Sequence, residues 1–281
     1  MKYKVVIDST VYLKEDFIKE NNIGVASLNV IEGMNSYREV DTEVAFIFSE
    51  QDKGKSWTTS QPAPGEFLNL YEEALEQGYD FIFEIGLSKD ISGTYQSAML
   101  AKNMLDHPDK VHVFDTQLCA YGTEMVALEL MNLIKQDLDK EEIISRMESM
   151  IKNSDQMFTV ENLFSLTKGG RLSVARAAIG TVLRVKPIIR VIDGKLKLAH
   201  SERTYKKVHQ YMIDAMKEST QGYKRLVVYI TNQFSPDSGE QIKSDILAAF
   251  PDAQITYTDY LGPVFSIHVG RKGYGISWTH E

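Results

Sequence analysis

Phe81-Ile82-Phe83-Glu84-Ile85-Gly86-Leu87-Ser88-Lys89-Asp90-Ile91-Ser92-Gly93-Thr94, followed one helix later by Val111-His112-Val113-Phe114-Asp115, is the stretch whose reading decides the fold. Residues 81–85 and 111–114 are short, almost continuously apolar runs, which suit strands covered on both faces. Residues 94–105 between them read as a helix. Strand, helix, strand at this spacing builds a parallel pair, and small hydroxyl residues fill the loop where the first strand ends.

Working outward, residues 4–7 read as another buried strand that stops at Asp8-Ser9-Thr10. A helix is expected from near Lys14 to Asn21, and residues 24–31 read as one further strand. Residues 64–77 form a helical pattern with Phe67, Leu68, Tyr71, Ala74 and Leu75 on one face, ended by Gly78. One more helix is predicted over 123–136. Strands alternating with helices argue for an α/β fold with a mostly parallel sheet in the N-terminal part. The second half changes character. Residues 189–192, the pair Asp193-Gly194 and residues 195–198 read as a hairpin with a type I′ turn. Helices over 205–217 and 238–250 and strands over 226–231 and 254–258 complete a mixed sheet. The break between domains is placed near residue 155, between an amphipathic helix at 141–151 and a strand at 157–160. This gives an N-terminal domain, 1–155, and a C-terminal domain, 156–281.

With 281 residues, 43% hydrophobic and 25% charged, the chain can bury a sizeable core. A net charge of −8 argues against nucleic acid as a partner. A single cysteine, Cys119, rules out an intrachain disulfide and a metal site built from thiolates alone. Together with the lack of a secretory signal it points to the reducing cytoplasm. No apolar run approaches the ~18 to 20 residues of a membrane span, so contact with an anionic membrane surface would be peripheral and transient. One stretch runs against the overall charge. Between Lys168 and Lys207, eleven Lys or Arg face only Asp193 and Glu202, a net of +9 that leaves −17 for the rest of the chain. It reads either as a solvated face or as a docking surface for an acidic protein, a phosphate or an anionic lipid.

The candidate chemistry lies in the loops that follow the strands, where open α/β sheets bind ligands. Thr58-Thr59-Ser60-Gln61-Pro62 precedes the helix at Pro64, and Ser92-Gly93-Thr94 precedes the next one. Hydroxyls and free backbone N–H groups at a helix start suit an anion. The plainer reading makes Ser60 and Ser92 ordinary N-caps. Familiar enzymatic signatures are missing. There is no phosphate-binding Gly-x-x-x-x-Gly-Lys loop, Gly270-Arg271-Lys272-Gly273-Tyr274-Gly275 does not fit the dinucleotide fingerprint, and Gly86-Leu87-Ser88-Lys89-Asp90 lacks the second glycine of a nucleophile elbow. The six histidines form no His-Glu-x-x-His pair. His268, which follows Gly262-Pro263, is the one of interest, with a purely structural histidine as its plainer reading.

Six motifs occur in a fixed order: Asp8-Ser9-Thr10; Thr59-Ser60-Gln61-Pro62; Ser92-Gly93-Thr94-Tyr95-Gln96-Ser97-Ala98; Lys168-Gly169-Gly170-Arg171-Leu172-Ser173; Lys186-Pro187-Ile188; and Gly262-Pro263-Val264. Over nearly the whole chain this set resembles the DegV family, the fatty-acid-binding subunits of bacterial fatty acid kinase. The resemblance implies a two-domain α/β, DegV-like fold that buries a long-chain fatty acid, with the C-terminal domain contributing to the acyl pocket. It implies that Thr59, Ser60, Ser92, Gly93 and Thr94 meet the carboxylate, with His268 completing the hydrogen-bond network. Arg171 and Arg203 would lie near the head group or the face that meets the kinase. It further implies a carrier with no catalytic activity, cofactor or metal of its own. ATP and magnesium come with the kinase, and the product is an acyl phosphate that supplies phospholipid precursors. The chain departs from the family pattern after His268, where Arg271-Lys272 replace a small, tight turn.

Elementary chemistry agrees with this expectation. A carboxylate only accepts hydrogen bonds, so a buried one needs donors. Hydroxyls supply them while leaving an oxygen free to attack phosphorus, which a bidentate arginine would not. Each buried CH₂ contributes roughly 0.8 kcal/mol, so the tail dominates affinity. The rival readings are a stand-alone phosphotransferase or hydrolase acting on a small anion at the same strand ends, and a nucleic-acid regulator using the basic stretch.

Overall fold

The computed structural model describes residues 1–160, 163–172, 185–233 and 236–281. They fall into two compact units. The first is Met1–Ser149 together with Gly262–Val264, and the second is Met150–Leu261 together with Phe265–Glu281.

In the first unit, β1 (Tyr3–Asp8), β2 (Gly24–Ala26), β6 (Phe81–Gly86) and β7 (Val111–Asp115) form a wholly parallel sheet in the order β2-β1-β6-β7. Alternation along the strands sends Val6, Ile82, Val111 and Val113 to one face. There they pack against Phe67, Tyr71 and Ala74 of the helix Pro64–Glu76 and Ala98 and Ala101 of the helix Thr94–Met104. The helix Tyr121–Ile134 packs on β1 and β6.

The expectation of one strand over 24–31 needs correction. The segment forms two strands in two different sheets. After β2 the chain leaves the ladder because side chains take its N–H groups: Glu66 Oε1 accepts from Ser27 at 2.9 Å and Ser9 Oγ accepts from Leu28 at 3.0 Å. The chain then enters β3 (Asn29–Glu32), the centre of a small antiparallel sheet flanked by β4 (Asn35–Arg38) and β5 (Trp57–Ser60). All four residues of β4 are exposed, so no apolar alternation marks it in the sequence.

In the second unit, β8 (Ser154–Val160), β9 (Lys186–Ile192), β10 (Lys195–Glu202), β11 (Leu226–Gln233), β12 (Gln254–Thr258) and β13 (Gly273–His280) form a mixed sheet in the order β10-β9-β8-β13-β11-β12. Only β11 and β12 run parallel within it. Asp193 and Gly194 both adopt positive φ, as the type I′ turn requires. Part of the basic stretch is used locally. Arg190 forks onto Asp155 of the neighbouring strand, and Lys186 Nζ lies 3.6 Å from the centre of the Tyr205 ring. Arg176 and Arg184 lie outside the described residues. The helices Tyr205–Ser219 and Pro236–Ala249 cover a core of Met157, Ile188, Met212, Val228, Ile246 and Trp278.

Trp278 is fully buried, and its indole N–H donates to Ser219 Oγ at 3.0 Å. Trp278→Ala is expected to cost about 3–5 kcal/mol as a large-to-small core substitution. Ser219→Ala, which only strips the indole of its acceptor, should cost about 1 kcal/mol. Urea denaturation checks both: the midpoints should fall in that order with an unchanged slope.

Candidate functional site

The strand ends of the first unit are organised around one carboxylate. Asp8, the last residue of β1, is fully buried. Its Oδ1 accepts from the Thr10 N–H at 2.7 Å and the Thr10 hydroxyl at 2.5 Å, and its Oδ2 accepts from the Leu87 N–H at 2.8 Å. The turn after β1 is thereby tied to the turn after β6. β7 joins through the Thr116 hydroxyl, which donates to the Gly86 carbonyl at 2.8 Å. Position 86 must be glycine: a Cβ there would stand 2.7 Å from Asp8 Oδ2 and 3.1 Å from Glu84 Oε1.

Among the other acids of this unit, Glu84 and Glu39 are buried and Glu124 is half-buried. Glu84 sits on the sheet face shared with Ile82, and neither of its oxygens has a hydrogen-bond partner. Burial and then the nearby Asp8 push its pKa well above the ordinary carboxylate range. The buried Tyr71 hydroxyl is also unpaired, and burial followed by Glu84 pushes its pKa up. Burial lifts Glu39 to about 7 and Glu124 to about 8. Burial also raises Asp8, against its three donors. Burial without a donor thus disfavours the charged form of Glu84.

The hydroxyl loops are placed differently from the sequence expectation. Thr59 and Ser60 precede the helix at Pro64 as expected, but they lie on β5, opposite Val30 and Asn29, half-buried, and Ser60 does not cap that helix. The helix Pro64–Glu76 begins after Ala63 with no side-chain cap. Pro64 has no N–H to satisfy, so the first donor needs none. Ser92 is not the cap residue of the helix Thr94–Met104 either, since Gly93 holds that position. Ser92 Oγ instead accepts the Thr94 N–H at 3.3 Å and lies 2.9 Å from Thr94 Oγ1. The two loops meet through Gln61. Its amide covers Gly93, where any Cβ would collide with it, and its Nε2 donates to Ser97 Oγ at 3.1 Å. An exposed glutamine in a loop gives no periodic signal, so the sequence does not mark Gln61 beyond its motif, and it does not mark Glu39 or Glu84 either. Their sequence surroundings, an exposed segment and a strand interior, do not reveal a buried acid.

In the second unit, the short helix Phe164–Lys168 ends at Gly169, and Gly170 follows at φ +74°. The Arg171 N–H returns to the Leu166 carbonyl at 3.0 Å, a glycine-terminated helix end. The two glycines serve separate ends: Gly170 takes the left-handed turn, and Gly169 leaves room for His268, whose Nδ1 would lie 2.9 Å from a Cβ there. His268 and Arg171 are thus neighbours. Burial, and then the Arg171 guanidinium, lower the histidine to about 4, so its imidazole is neutral near pH 7. His268 belongs to the helix Pro263–Val269, which closes at Gly270 (φ +81°), ahead of the unusual Arg271-Lys272 pair. Its ring is therefore carried by the helix rather than by that pair. Arg203 is exposed, immediately before Thr204, the N-cap of the helix Tyr205–Ser219.

Among the described residues, no cluster of His, Cys, Asp or Glu could hold a metal, and no helix is long and apolar enough to cross a membrane.

A family model described as an uncharacterised protein of the DegV family matches residues 2–281. A DegV domain-containing protein of Listeria innocua is 32% identical over 280 residues, spanning 99% of this chain and 98% of the relative. Among solved structures, a DegV family protein from Thermus thermophilus, described for its fatty acid binding, superposes with a TM-score of 0.90 at 29% identity over the full length of both chains. DegV from Bacillus subtilis, described as a fatty acid binding protein, does so at 0.85 and 31%, again over both whole chains.

The buried acids give a pH test. A carboxyl with a raised folded pKa contributes stability that is complete below its unfolded value and is lost as pH rises through its folded value. The window runs from 4.5 to about 7 for Glu39 and from 4.5 to about 8 for Glu124. The melting temperature should therefore fall between pH 5 and pH 8. Glu84→Gln, which cannot ionise, should flatten that fall, raising the melting temperature at pH 8 more than at pH 5. Parallel pH curves for the two proteins would show that Glu84 ionises as freely in the fold as outside it.

Proposed function

Because the chain belongs to the DegV family, we propose that it binds a long-chain fatty acid and presents the carboxylate to a separate kinase for conversion to an acyl phosphate. The observation that carries this reading is the end-to-end likeness to DegV from Bacillus subtilis, a fatty acid binding protein, at 31% identity. The chemistry of the first unit supports it. The loop after β6 sets the hydroxyls of Ser92 and Thr94 side by side, while Asp8 is already occupied by three donors.

In this reading Thr59, Ser60, Ser92, Gly93 and Thr94 contact the carboxylate, and the neutral imidazole of His268 adds a donor. Arg171, beside His268, is close to the head group, and the exposed Arg203 meets the kinase. The chain is a carrier in the cytoplasm, without catalysis, cofactor or metal of its own. ATP and magnesium belong to the kinase, and contact with an anionic membrane surface is transient and peripheral.

Mass spectrometry of organic extracts from the natively purified protein is expected to find a fatty acid, and added fatty acid should raise the melting temperature. An empty extract with no thermal shift would end the carrier reading. ATP turnover by the chain alone would favour a stand-alone phosphotransferase. Thr59→Ala and Ser92→Ala should each weaken fatty-acid binding by about 1–3 kcal/mol, the range for a lost bond to a charged group. Unchanged affinity in both would reduce them to structural hydroxyls.

Arg203→Glu separates the two surfaces. Fatty-acid binding should persist while kinase-dependent phosphorylation falls, and the wild-type rate should drop as salt rises, because exposed charges steer the encounter. Loss of lipid binding with normal kinase docking would reverse the assignment.

A further inference from the structure

Glu39 is buried, 4% exposed, although the preceding strand Asn35–Arg38 is wholly exposed and Val40 after it is 51% exposed. Every acceptor it has is used within the first unit. Oε2 accepts from the Ser9 hydroxyl at 2.5 Å, and Oε1 accepts from the Tyr12 hydroxyl at 3.1 Å and the Val264 N–H at 3.0 Å. The Glu39 N–H itself donates to the Leu28 carbonyl at 2.8 Å, and the Leu28 N–H donates to Ser9 Oγ at 3.0 Å. One side chain thus closes a ring of bonds among the turn after β1, the strand break at Leu28 and the segment Gly262–Val264.

That segment is the one piece of the distal chain that groups with the first unit. The Tyr12 ring lies so close over Gly262 that a Cβ there would collide with it. Pro263 has no N–H, so Val264 offers the first donor of the helix Pro263–Val269, a group with no partner inside the helix. A carboxylate at that end is also favoured by the helix dipole.

We propose that Glu39 is a positioning residue that holds the Gly262–Val264 segment against the Ser9–Tyr12 turn through the Val264 N–H, and that fatty-acid binding depends on this hold. This rests on the fatty-acid reading above. Burial pushes the Glu39 carboxyl up to about 7, with Ser9, the Val264 N–H and Tyr12 opposing and Asp8 adding to the rise, so its charge changes in the neutral range. The titratable groups facing it are Asp8 from β1 and Tyr12 from the turn; the Val264 segment contributes its backbone N–H. The ionised form accepts all three donors, whereas the protonated form must turn one position into a donor.

The test uses the full chain with Glu39→Ala and Glu39→Gln, amide hydrogen exchange, and oleate binding at pH 6 and pH 8. In Glu39→Ala, exchange at the Val264 amide should speed up about tenfold or more and oleate binding should weaken by a similar factor. Exchange at the Thr10 and Leu87 amides, which Asp8 holds, should stay unchanged. Glu39→Gln keeps one acceptor oxygen, so it should lie between wild type and alanine and lose the wild-type difference in affinity between the two pH values. Unchanged exchange at Val264, equal loss of protection at Thr10 and Leu87, or unchanged oleate affinity would each overturn the proposal. If wild-type protein binds no oleate, the fatty-acid reading fails by itself, and the Val264 exchange rate still decides whether Glu39 holds the Gly262–Val264 segment.

Discussion

The Asp8 carboxylate lies in the protein interior with three donors on it, two from Thr10 and one from Leu87. Burying an ion costs several kcal/mol, while each hydrogen bond to a charged group returns about 1.5–3 kcal/mol net. The three bonds oppose that cost without cancelling it, since burial still raises the Asp8 pKa, and removing the acceptor would leave three donors without it. This balance dictates much around it. Gly86 must lack a side chain, the turn after β1 must pass through Thr10, and β6 must end at the level of β1, where the two are paired in parallel register. The strand-end loops that bear Ser92 and Thr116 start from that fixed edge.

Around this edge the acids are sorted by how many donors they have. Asp8 has three and Glu39 has three, whereas Glu84 has none and is pushed well above its ordinary pKa. The same side-chain chemistry therefore serves as a hydrogen-bonded clamp in one place and an unpaired packing group in another. Environment, not residue type, decides the charge.

The second unit uses its charges differently. The basic stretch is not one uninterrupted positive face. Arg190 is bound to Asp155, Lys186 is laid over Tyr205, and Arg171 is folded against the glycine-terminated helix end beside His268. Arg203, Lys206 and Lys207, at the start of the helix Tyr205–Ser219, keep their side chains exposed. A sum of charges along the sequence cannot make this distinction, because pairing depends on which strand lies next to which.

The sequence by itself determined the parallel βαβ core, the helix at 64–76, the Asp193-Gly194 hairpin and, through six ordered motifs, the family. These follow from local chemistry: apolar periodicity, the backbone freedom of glycine, and short loops whose residues act where they stand. Only the tertiary structure decided that 24–31 breaks into strands of two sheets, because the acceptors that pull Ser27 and Leu28 out of the ladder are Glu66 and Ser9, distant in sequence. Only it placed Thr59 and Ser60 on an edge strand rather than at a helix start, laid Gln61 over Gly93, and buried Glu39 and Glu84. Burial and hydrogen-bond partnership are properties of the assembled neighbourhood, and the bond from Glu39 to Val264 spans 225 residues that no local pattern could connect.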